Sequence, residues 1–152
     1  MAAYDDNNIF ARILRGELPC SKAHETDHAL AFHDINPQAP IHVLVIPKGR
    51  FVSMDDFSRN ASAEAISGLW RAVGEVAQAL GLVDSGYRVM ANHGGHAHQE
   101  VPHLHIHILG GRPLGPMLEG GDAPPDAHRF TSVSGMGCSR LPWRFTSGAA
   151  EL

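Results

Sequence analysis

The run HLHIHI, which begins at His103, constrains this chain more than any other segment. In a β-strand successive side chains point to opposite faces, so the alternation predicts that His103, His105 and His107 project from one side. The intervening leucine and isoleucines form an apolar face that must pack against another element. The segment therefore predicts a strand over residues 103–109, covered on one face by a helix.

Other segments supply the partners for this strand. Alternating or apolar runs bounded by turn residues predict three further strands, over residues 29–33, 41–46 and 86–92. A short capped helix is expected after Asn8, before Gly16. A long amphipathic helix is expected over residues 62–80, with an apolar face of Ile66, Leu69, Trp70, Val73, Ala77 and Leu80. This order predicts an α+β fold, a mostly antiparallel sheet of about five strands with two helices.

The length of 152 residues suits one domain with a real core. We place its boundary at residue 118, because residues 119–152 have scattered Gly, Pro and Ser and no periodic apolar face. That C-terminal tail is expected to be disordered or loosely docked.

Charge and cysteine content exclude several classes of function. The net charge of -4 offers no basic excess for a nucleic-acid polymer. Cys20 and Cys138, the two cysteines, do not form a CxxC motif or a disulfide framework. The first ten residues have no signal-peptide character, and no apolar run is long enough to cross a membrane. The expected location is the cytoplasm, without membrane contact.

Histidine content points to the chemistry: six of the eleven histidines lie within residues 93–107. The row at 103, 105 and 107 has three interpretations. It can be a solvated polar face. It can ligate a metal, but residues two apart on a strand lie about 6.7 Å apart, so a zinc site would need another ligand such as His42. It can also supply a neutral imidazole nucleophile whose neighbours fix its tautomer and share charge.

Several blocks together resemble the histidine-triad (HIT) family. They are NIFARILRGELP, LAFHDINPQAPIHVLVIPK, GYRVMANHGG and QEVPHLHIHILGGRPLGPM, which occur in this order over nearly all of residues 7–118. The LGGRPLGPM ending is more similar to the Hint-like branch, purine nucleoside phosphoramidases, than to the Fhit branch. The resemblance implies the HIT fold, a purine nucleotide substrate, no required cofactor and a homodimer.

The resemblance also implies roles for single residues. His105 matches the nucleophile that becomes nucleotidylated, His103 and His107 match its flanking partners, and His42 matches a fourth histidine on the phosphate side. Asp34 matches the carboxylate that binds the ribose hydroxyls, although a carboxylate before Ile-Asn-Pro can also initiate a turn. Asn92 and Gln99 match polar contacts near the phosphate, and the apolar purine slot matches Ile9, Phe10, Phe32, Ile35 and Leu44. From residue type alone, Ile9, Phe10, Phe32 and Leu44 are better explained as core residues.

The chain departs from the family pattern at two places. Pro102 stands where relatives usually have an aromatic residue, and because proline cannot donate to a ladder, the strand should start at or after it. The connecting loop adds His93, His96 and His98, which are either solvated or an adventitious zinc site. Glu100 lies where relatives have serine or glutamate, and it is expected to assist the amine leaving group.

The expected activity is therefore hydrolysis of adenosine or guanosine 5'-phosphoramidates through a covalent nucleotidyl-histidine. Two alternatives stay open at this point. One is a dinucleoside polyphosphate hydrolase of the Fhit type, with the same nucleophile and a nucleotide leaving group. The other is a non-catalytic module that binds zinc or a nucleotide and acts by interaction.

Overall fold

The computed structural model describes residues 3–118, and the predicted tail at 119–152 lies outside them. The residues up to Gly115 form one compact unit. Its three helices are α1 (Ile9–Leu14), α2 (Met54–Asn60) and α3 (Ala63–Ala79). Its five strands are β1 (Lys22–Glu25), β2 (Ala29–His33), β3 (Ile41–Pro47), β4 (Tyr87–Ala91) and β5 (Ile106–Gly110). None of the helices in the described part of the chain is long and apolar enough to span a membrane.

The strands form one sheet in the order β1-β2-β3-β5-β4, in which every neighbouring pair is antiparallel. The predicted α+β class with a five-stranded antiparallel sheet is confirmed. Strands β3 and β5 pair at the centre, with His42 opposite Leu109 and Leu44 opposite His107. This register brings a histidine from each strand onto the same region of the sheet.

The two faces of the sheet carry separate apolar clusters. On one face, valines of β3 and isoleucines of β5 pack with Leu69, Val73 and Val76 of α3. On the other face, leucine and isoleucine of β2 and β3 pack with Phe10 of α1. The period of two along each strand thus sends alternate residues to the long helix and to the short one.

The strand that carries the histidines starts later than expected. The prediction had it begin at 103, but β5 begins at Ile106. Residues 103–105 precede the ladder, and there the Leu104 amide donates to the Phe51 carbonyl at 2.7 Å. The side-chain alternation nevertheless continues, since Leu104, Ile106 and Ile108 are all 0% exposed.

The expectation of two helices was wrong, because α2 was missed. Its sequence MDDFSRN buries only Phe57 and has no apolar periodicity, so it gives no amphipathic signal. Strand β1, KAHE, was missed for the same reason and is held by main-chain pairing with β2. The buried face of α3 also differs from the prediction: Trp70 is 46% exposed, and Ala72 and Val76 lie inward instead.

Candidate active site

A cavity of about 1000 Å³ lies on the sheet face that carries α1. Its walls come from α1, the segment after it, the ends of β2 and β3, the loop before the histidine run, and β5. Eleven of the residues predicted from sequence line it: Ile9, Phe10, Phe32, Asp34, Ile35, His42, Leu44, Asn92, Glu100, His105 and His107. His103 and Gln99 do not line it.

The hydrogen bond of His105 determines which of its ring nitrogens carries the proton. His105 Nδ1 lies 2.7 Å from the main-chain carbonyl oxygen of His103. A carbonyl oxygen can only accept, so Nδ1 must carry the hydrogen. In a neutral imidazole the other nitrogen, Nε2, then holds a lone pair. The ring is thus fixed with an unprotonated nitrogen on a residue that lines the cavity.

His103 lies behind the cavity and is 0% exposed. Its Nε2 lies 3.0 Å from the carbonyl oxygen of Pro47, so Nε2 is the donor. Its Nδ1 therefore accepts, and the partner is the hydroxyl of Tyr4 at 2.5 Å. The ring is bonded on both sides, and the main-chain carbonyl of the same residue holds His105.

His42 and His107 form a directed chain of hydrogen bonds. The Gln38 amide donates to His42 Nδ1 at 3.1 Å, so the proton of a neutral His42 must be on Nε2. That nitrogen lies 2.8 Å from His107 Nδ1, which accepts. The proton of His107 is then on Nε2, the one buried side-chain nitrogen or oxygen without a partner among the described residues. A main-chain amide thereby orients a free N–H donor beside His105, whose ring centroid is 5.1 Å away.

Burial keeps these imidazoles neutral. Desolvation lowers the pKa of His105 below its ordinary value of 6.5, while the bond to His103 and the carboxylates of Asp34 and Glu100 oppose the shift. Desolvation and the neighbouring histidines lower the pKa of His107 to about 4. Burial lowers the pKa of His42 as well, against the carboxylate of Asp34. At neutral pH the cluster therefore presents lone pairs and N–H donors, not imidazolium ions.

Asp34 serves a turn and the cavity at once. Its Oδ1 accepts the Asn36 amide at 2.8 Å, which is the turn expected before Asn36-Pro37. Its Oδ2 lies 3.5 Å from His42 Nε2, with the side chain 17% exposed. The second oxygen thus stays available on a residue that lines the cavity.

The apolar end of the cavity is organised by α1. Asn8, which is buried, caps this helix by accepting the amides of Phe10 and Ala11, and so fixes where the helix begins. The Phe10 ring contacts Phe32 edge to face at 5.5 Å and His105 at 5.2 Å. The residues predicted for the purine slot therefore line the cavity next to His105.

The loop before the histidine run is pinned by Gln99. Its Nε2 donates to the carbonyls of Val52 at 2.7 Å and Val101 at 3.1 Å, and its Oε1 accepts the Gly94 amide. Both donors are used, so the structure gives Gln99 the role of holding the loop. Neither of its amide N–H groups is left for the expected phosphate contact.

The histidines of the same loop remain at the surface. His98 has a φ of 56° and pairs with Glu100 at 3.0 Å, and both side chains are largely exposed. The loop histidines form no three-ligand group in the described part of the chain. The group whose ligand atoms come within 4.8 Å of one another consists of Asp34, His42 and His107 instead.

Sequence reasoning missed part of the cavity wall and one hydrogen-bond partner of the histidines. Residues that lie between α1 and β1 have no periodic pattern, and only tertiary contact brings them here. Tyr4 precedes the first helix by several residues, and nothing in its spacing links it to His103. The missed wall residues are Ile13, Leu18, Pro19, Cys20, Ser21, His33, Asn36, Gln38, Met90, His98, Val101 and Leu109.

Comparisons with known proteins agree with this geometry. The HIT domain family model matches residues 15–114. The chain is 65% identical over 118 residues to an uncharacterized 13.2 kDa HIT-like protein of Azospirillum brasilense, covering 78% of this chain and 97% of that one. It is 40% identical over 113 residues to the purine nucleoside phosphoramidase of Escherichia coli K12, covering 74% and 94%.

Solved structures give the same result. A histidine triad protein from Clostridium difficile superposes with a TM-score of 0.69 at 38% identity, covering 75% of this chain and 98% of that one. A HIT family hydrolase from Legionella pneumophila superposes with a TM-score of 0.68, also at 38% identity, covering 72% and 96%. The fold, the histidine cluster and these matches agree: the chain belongs to the histidine triad (HIT) family.

Proposed function

We propose that this protein hydrolyses purine nucleoside 5'-phosphoramidates through a covalent nucleotidyl intermediate on His105. The observation that carries the proposal is the bond from His105 Nδ1 to the His103 carbonyl. This bond leaves an unprotonated Nε2 on a residue that lines a cavity of about 1000 Å³. The 40% identity to a purine nucleoside phosphoramidase supports the same reaction class.

In the first step His105 Nε2 attacks the α-phosphorus and a P–N bond to the histidine forms. The P–N bond to the amine breaks, and its electron pair goes to the amine nitrogen, which takes up a proton from solvent water. Positive charge develops on the His105 ring, and the His103 carbonyl that accepts its Nδ1–H stabilises that charge. Glu100, which lines the cavity, is the group we assign to the amine end.

The hydrogen-bond chain supplies the donor for the phosphate. His107 Nε2–H has no protein partner among the described residues, and a buried donor of this kind costs free energy until something accepts from it. A non-bridging phosphate oxygen is such an acceptor, and it gains charge in the transition state. In the second step water attacks phosphorus and releases a proton to solvent, the P–N bond to His105 breaks, and Nε2 keeps the bonding pair.

The nucleoside end of the substrate fits the other half of the cavity. The edge-to-face pair of Phe10 and Phe32 suits a flat aromatic base. The free oxygen of Asp34 is the acceptor we assign to the ribose hydroxyls. We also propose that Asn92 contacts the phosphate, since it lines the cavity.

Mass spectrometry during turnover tests the proposal. Full-length protein is mixed with adenosine 5'-phosphoramidate, quenched in acid-free denaturant within the first turnovers, and digested for peptide mapping. We expect one nucleotidyl group on the peptide that contains His105, and none in His105→Ala. Steady turnover without any adduct, or an adduct on another residue, would overturn the mechanism. Diadenosine polyphosphate run in parallel reports whether a nucleotide leaving group is preferred to an amine.

A zinc-binding module is the second candidate, because Asp34, His42 and His107 bring three ligand atoms within 4.8 Å. The tautomers oppose it: zinc needs a lone pair on His42 Nε2, whereas the Gln38 amide occupies Nδ1 and leaves the proton on Nε2. We therefore propose that no metal is required. Activity that survives EDTA supports this, and activity lost with EDTA and restored by zinc contradicts it.

We further propose that the protein acts as a homodimer, as the resemblance implies. Strand β4 lies at one end of the sheet order and so has one ladder edge without a strand partner among the described residues. Light scattering coupled to size-exclusion chromatography tests this: a mass of two chains is expected, and a mass of one chain contradicts it.

A further inference from the structure

The N-terminal segment reaches the histidine cluster through Tyr4. Its hydroxyl lies 2.5 Å from His103 Nδ1, and the two rings meet edge to face at 5.6 Å. The proposed mechanism uses the carbonyl of His103 but not its ring. This buried ring has both nitrogens bonded, one of them to a residue ninety-nine positions away.

From this geometry we infer that Tyr4 is a positioning residue for the nucleophile. The path has three bonds: Tyr4 O–H donates to His103 Nδ1, His103 Nε2–H donates to the Pro47 carbonyl, and His105 Nδ1–H donates to the His103 carbonyl. The first two bonds hold the His103 ring from opposite sides. A held ring fixes the main chain of the same residue, and with it the carbonyl that orients His105.

The segment that carries Tyr4 is itself held in place. The guanidinium of Arg50 lies over the Tyr4 ring, 5.3 Å from its centre. Arg50 also pairs with Asp6 at 2.8 Å, and Arg15 donates to the main-chain oxygen of Asp6 at 2.7 Å. Two cations from different parts of the chain therefore hold Asp6, two residues after Tyr4, and one of them also contacts the Tyr4 ring.

The direction of the Tyr4 bond follows from the surroundings of His103. The Pro47 carbonyl can only accept, so it requires a proton on Nε2. Burial lowers the pKa of His103 to about 4, so the ring carries no second proton at neutral pH. The phenol is then the only possible donor of the pair, and removing its hydroxyl leaves a buried nitrogen unbonded.

The test compares Tyr4→Phe, which keeps the aromatic ring, with Ser62→Ala. Ser62 caps α3 by accepting the Ala65 amide, far in sequence from the histidine cluster, so its loss reports mere destabilisation. This inference rests on the proposed function, so single-turnover adduct formation in the wild type is measured first. We expect Tyr4→Phe to slow that step about 5- to 10-fold at saturating substrate, with KM changed less than about 2-fold.

A spectroscopic measurement makes the result independent of turnover. In wild-type protein the His105 Nδ1 proton should give a slowly exchanging imidazole signal, which should broaden or exchange faster in Tyr4→Phe and stay unchanged in Ser62→Ala. If Tyr4→Phe forms the adduct at the wild-type rate and its imidazole signal is unchanged, the inference is overturned, while the nucleotidyl mechanism stays intact. The inference is also overturned if Ser62→Ala slows adduct formation as much as Tyr4→Phe does while the two variants lose the same melting temperature. Absence of a wild-type adduct overturns the proposed function, whereas the imidazole signal still decides the role of Tyr4.

Discussion

The two faces of the central sheet come from the same strands but are closed differently. On one face α3, with seventeen residues, covers an apolar surface in which Val43, Val45, Ile106 and Ile108 are each 0% exposed. On the other face α1 has only six residues and covers part of the sheet, so a cavity remains beside it. Adjacent residues of β5 therefore belong to the core and to the candidate site in turn.

The difference shows what each face requires of its residues. The face under α3 gains stability from area removed from water, and any side chain of suitable volume can contribute. The cavity face contains polar rings, whose burial is costly unless each nitrogen has a partner. The sequence meets that requirement with carbonyls, a main-chain amide and a phenol, and among the described residues it leaves one buried N–H, that of His107, without a partner.

The largest effect is expected on the cavity face. Replacing His105 by Ala removes the nucleophile and should lower kcat by about 10⁴-fold or more, with nucleotide affinity nearly unchanged. His24→Ala is the matched control, because His24 lies on β1 and pairs with the exposed side chain of Glu75. Stopped assays with calorimetric binding of the monophosphate give both quantities. If His105→Ala remained active, the nucleophile would have to be another residue.

At the next residue, Ile106, the expected effects are reversed: substitution lowers stability and leaves kcat nearly unchanged. Ile106→Ala opens a hole under α3 and should lower the free energy of unfolding by about 2–5 kcal/mol, whereas Ile106→Val should cost about 0.5–1.5 kcal/mol. The kcat of the protein that remains folded should change less than about 3-fold, since the side chain does not line the cavity. Urea titrations and assays at low temperature check both. A loss of kcat as large as that of His105→Ala, without destabilisation, would mean that the faces are not separable.

Asp34 belongs both to a turn and to the cavity wall, so its variants separate these two roles. A hydrogen bond to a charged acceptor contributes about 1.5–3 kcal/mol to binding. Asp34→Ala should therefore lower kcat/KM for ribonucleotide substrates about 10- to 100-fold and nearly erase discrimination against a deoxyribose analogue. Asp34→Asn keeps an oxygen that can accept the Asn36 amide but removes the charge. Equal loss in both variants assigns the effect to ribose recognition. Recovery in Asp34→Asn, with ribose preference retained, would leave Asp34 as a turn residue.

Periodicity predicted the fold where apolar residues repeat and failed where they do not. The apolar runs of β2 and β3 and the three-four spacing in α3 placed these elements within a residue or two. Strand β1 and helix α2 bury one large side chain between them, Phe57, so tertiary contacts decide them. The late start of β5 also depends on tertiary contacts, because the Leu104 amide donates to the Phe51 carbonyl and the His103 carbonyl accepts from the His105 ring.

For the candidate site, the chemical type of a residue predicted whether it lines the cavity, but it did not predict the hydrogen bonds that the residue makes there. The histidine row and Asp34 stand out by chemistry alone, and all but His103 reach the cavity. The tautomers do not follow from the sequence, because they depend on Pro47, Gln38 and Tyr4, which are distant in the chain. Gln99 has the right chemistry for a phosphate contact, yet local main-chain groups use its amide.

The smallest effect concerns His103, the buried histidine behind the cavity. Burial lowers its pKa to about 4 from the ordinary 6.5, so between these values the unfolded chain binds a proton that the folded protein does not. The stability linked to this group is therefore complete above pH 6.5 and is lost as the pH falls toward 4. From pH 7 to pH 5.5 the loss should be about 1 kcal/mol, a range in which most carboxylates stay ionised.

His103→Gln isolates this contribution, since glutamine does not titrate and can still donate to the Pro47 carbonyl. Urea unfolding at pH 7, 6 and 5.5 should give a steeper decline for the wild type than for the variant, by about 1 kcal/mol over the range. Titration of the His103 ring carbon proton by NMR in the wild type gives the folded pKa directly. Parallel declines together with a His103 pKa near 6.5 would show that the ring is solvated. The face behind the nucleophile would then be open to water, and the contrast between a closed core and a bonded polar face would fail at that point.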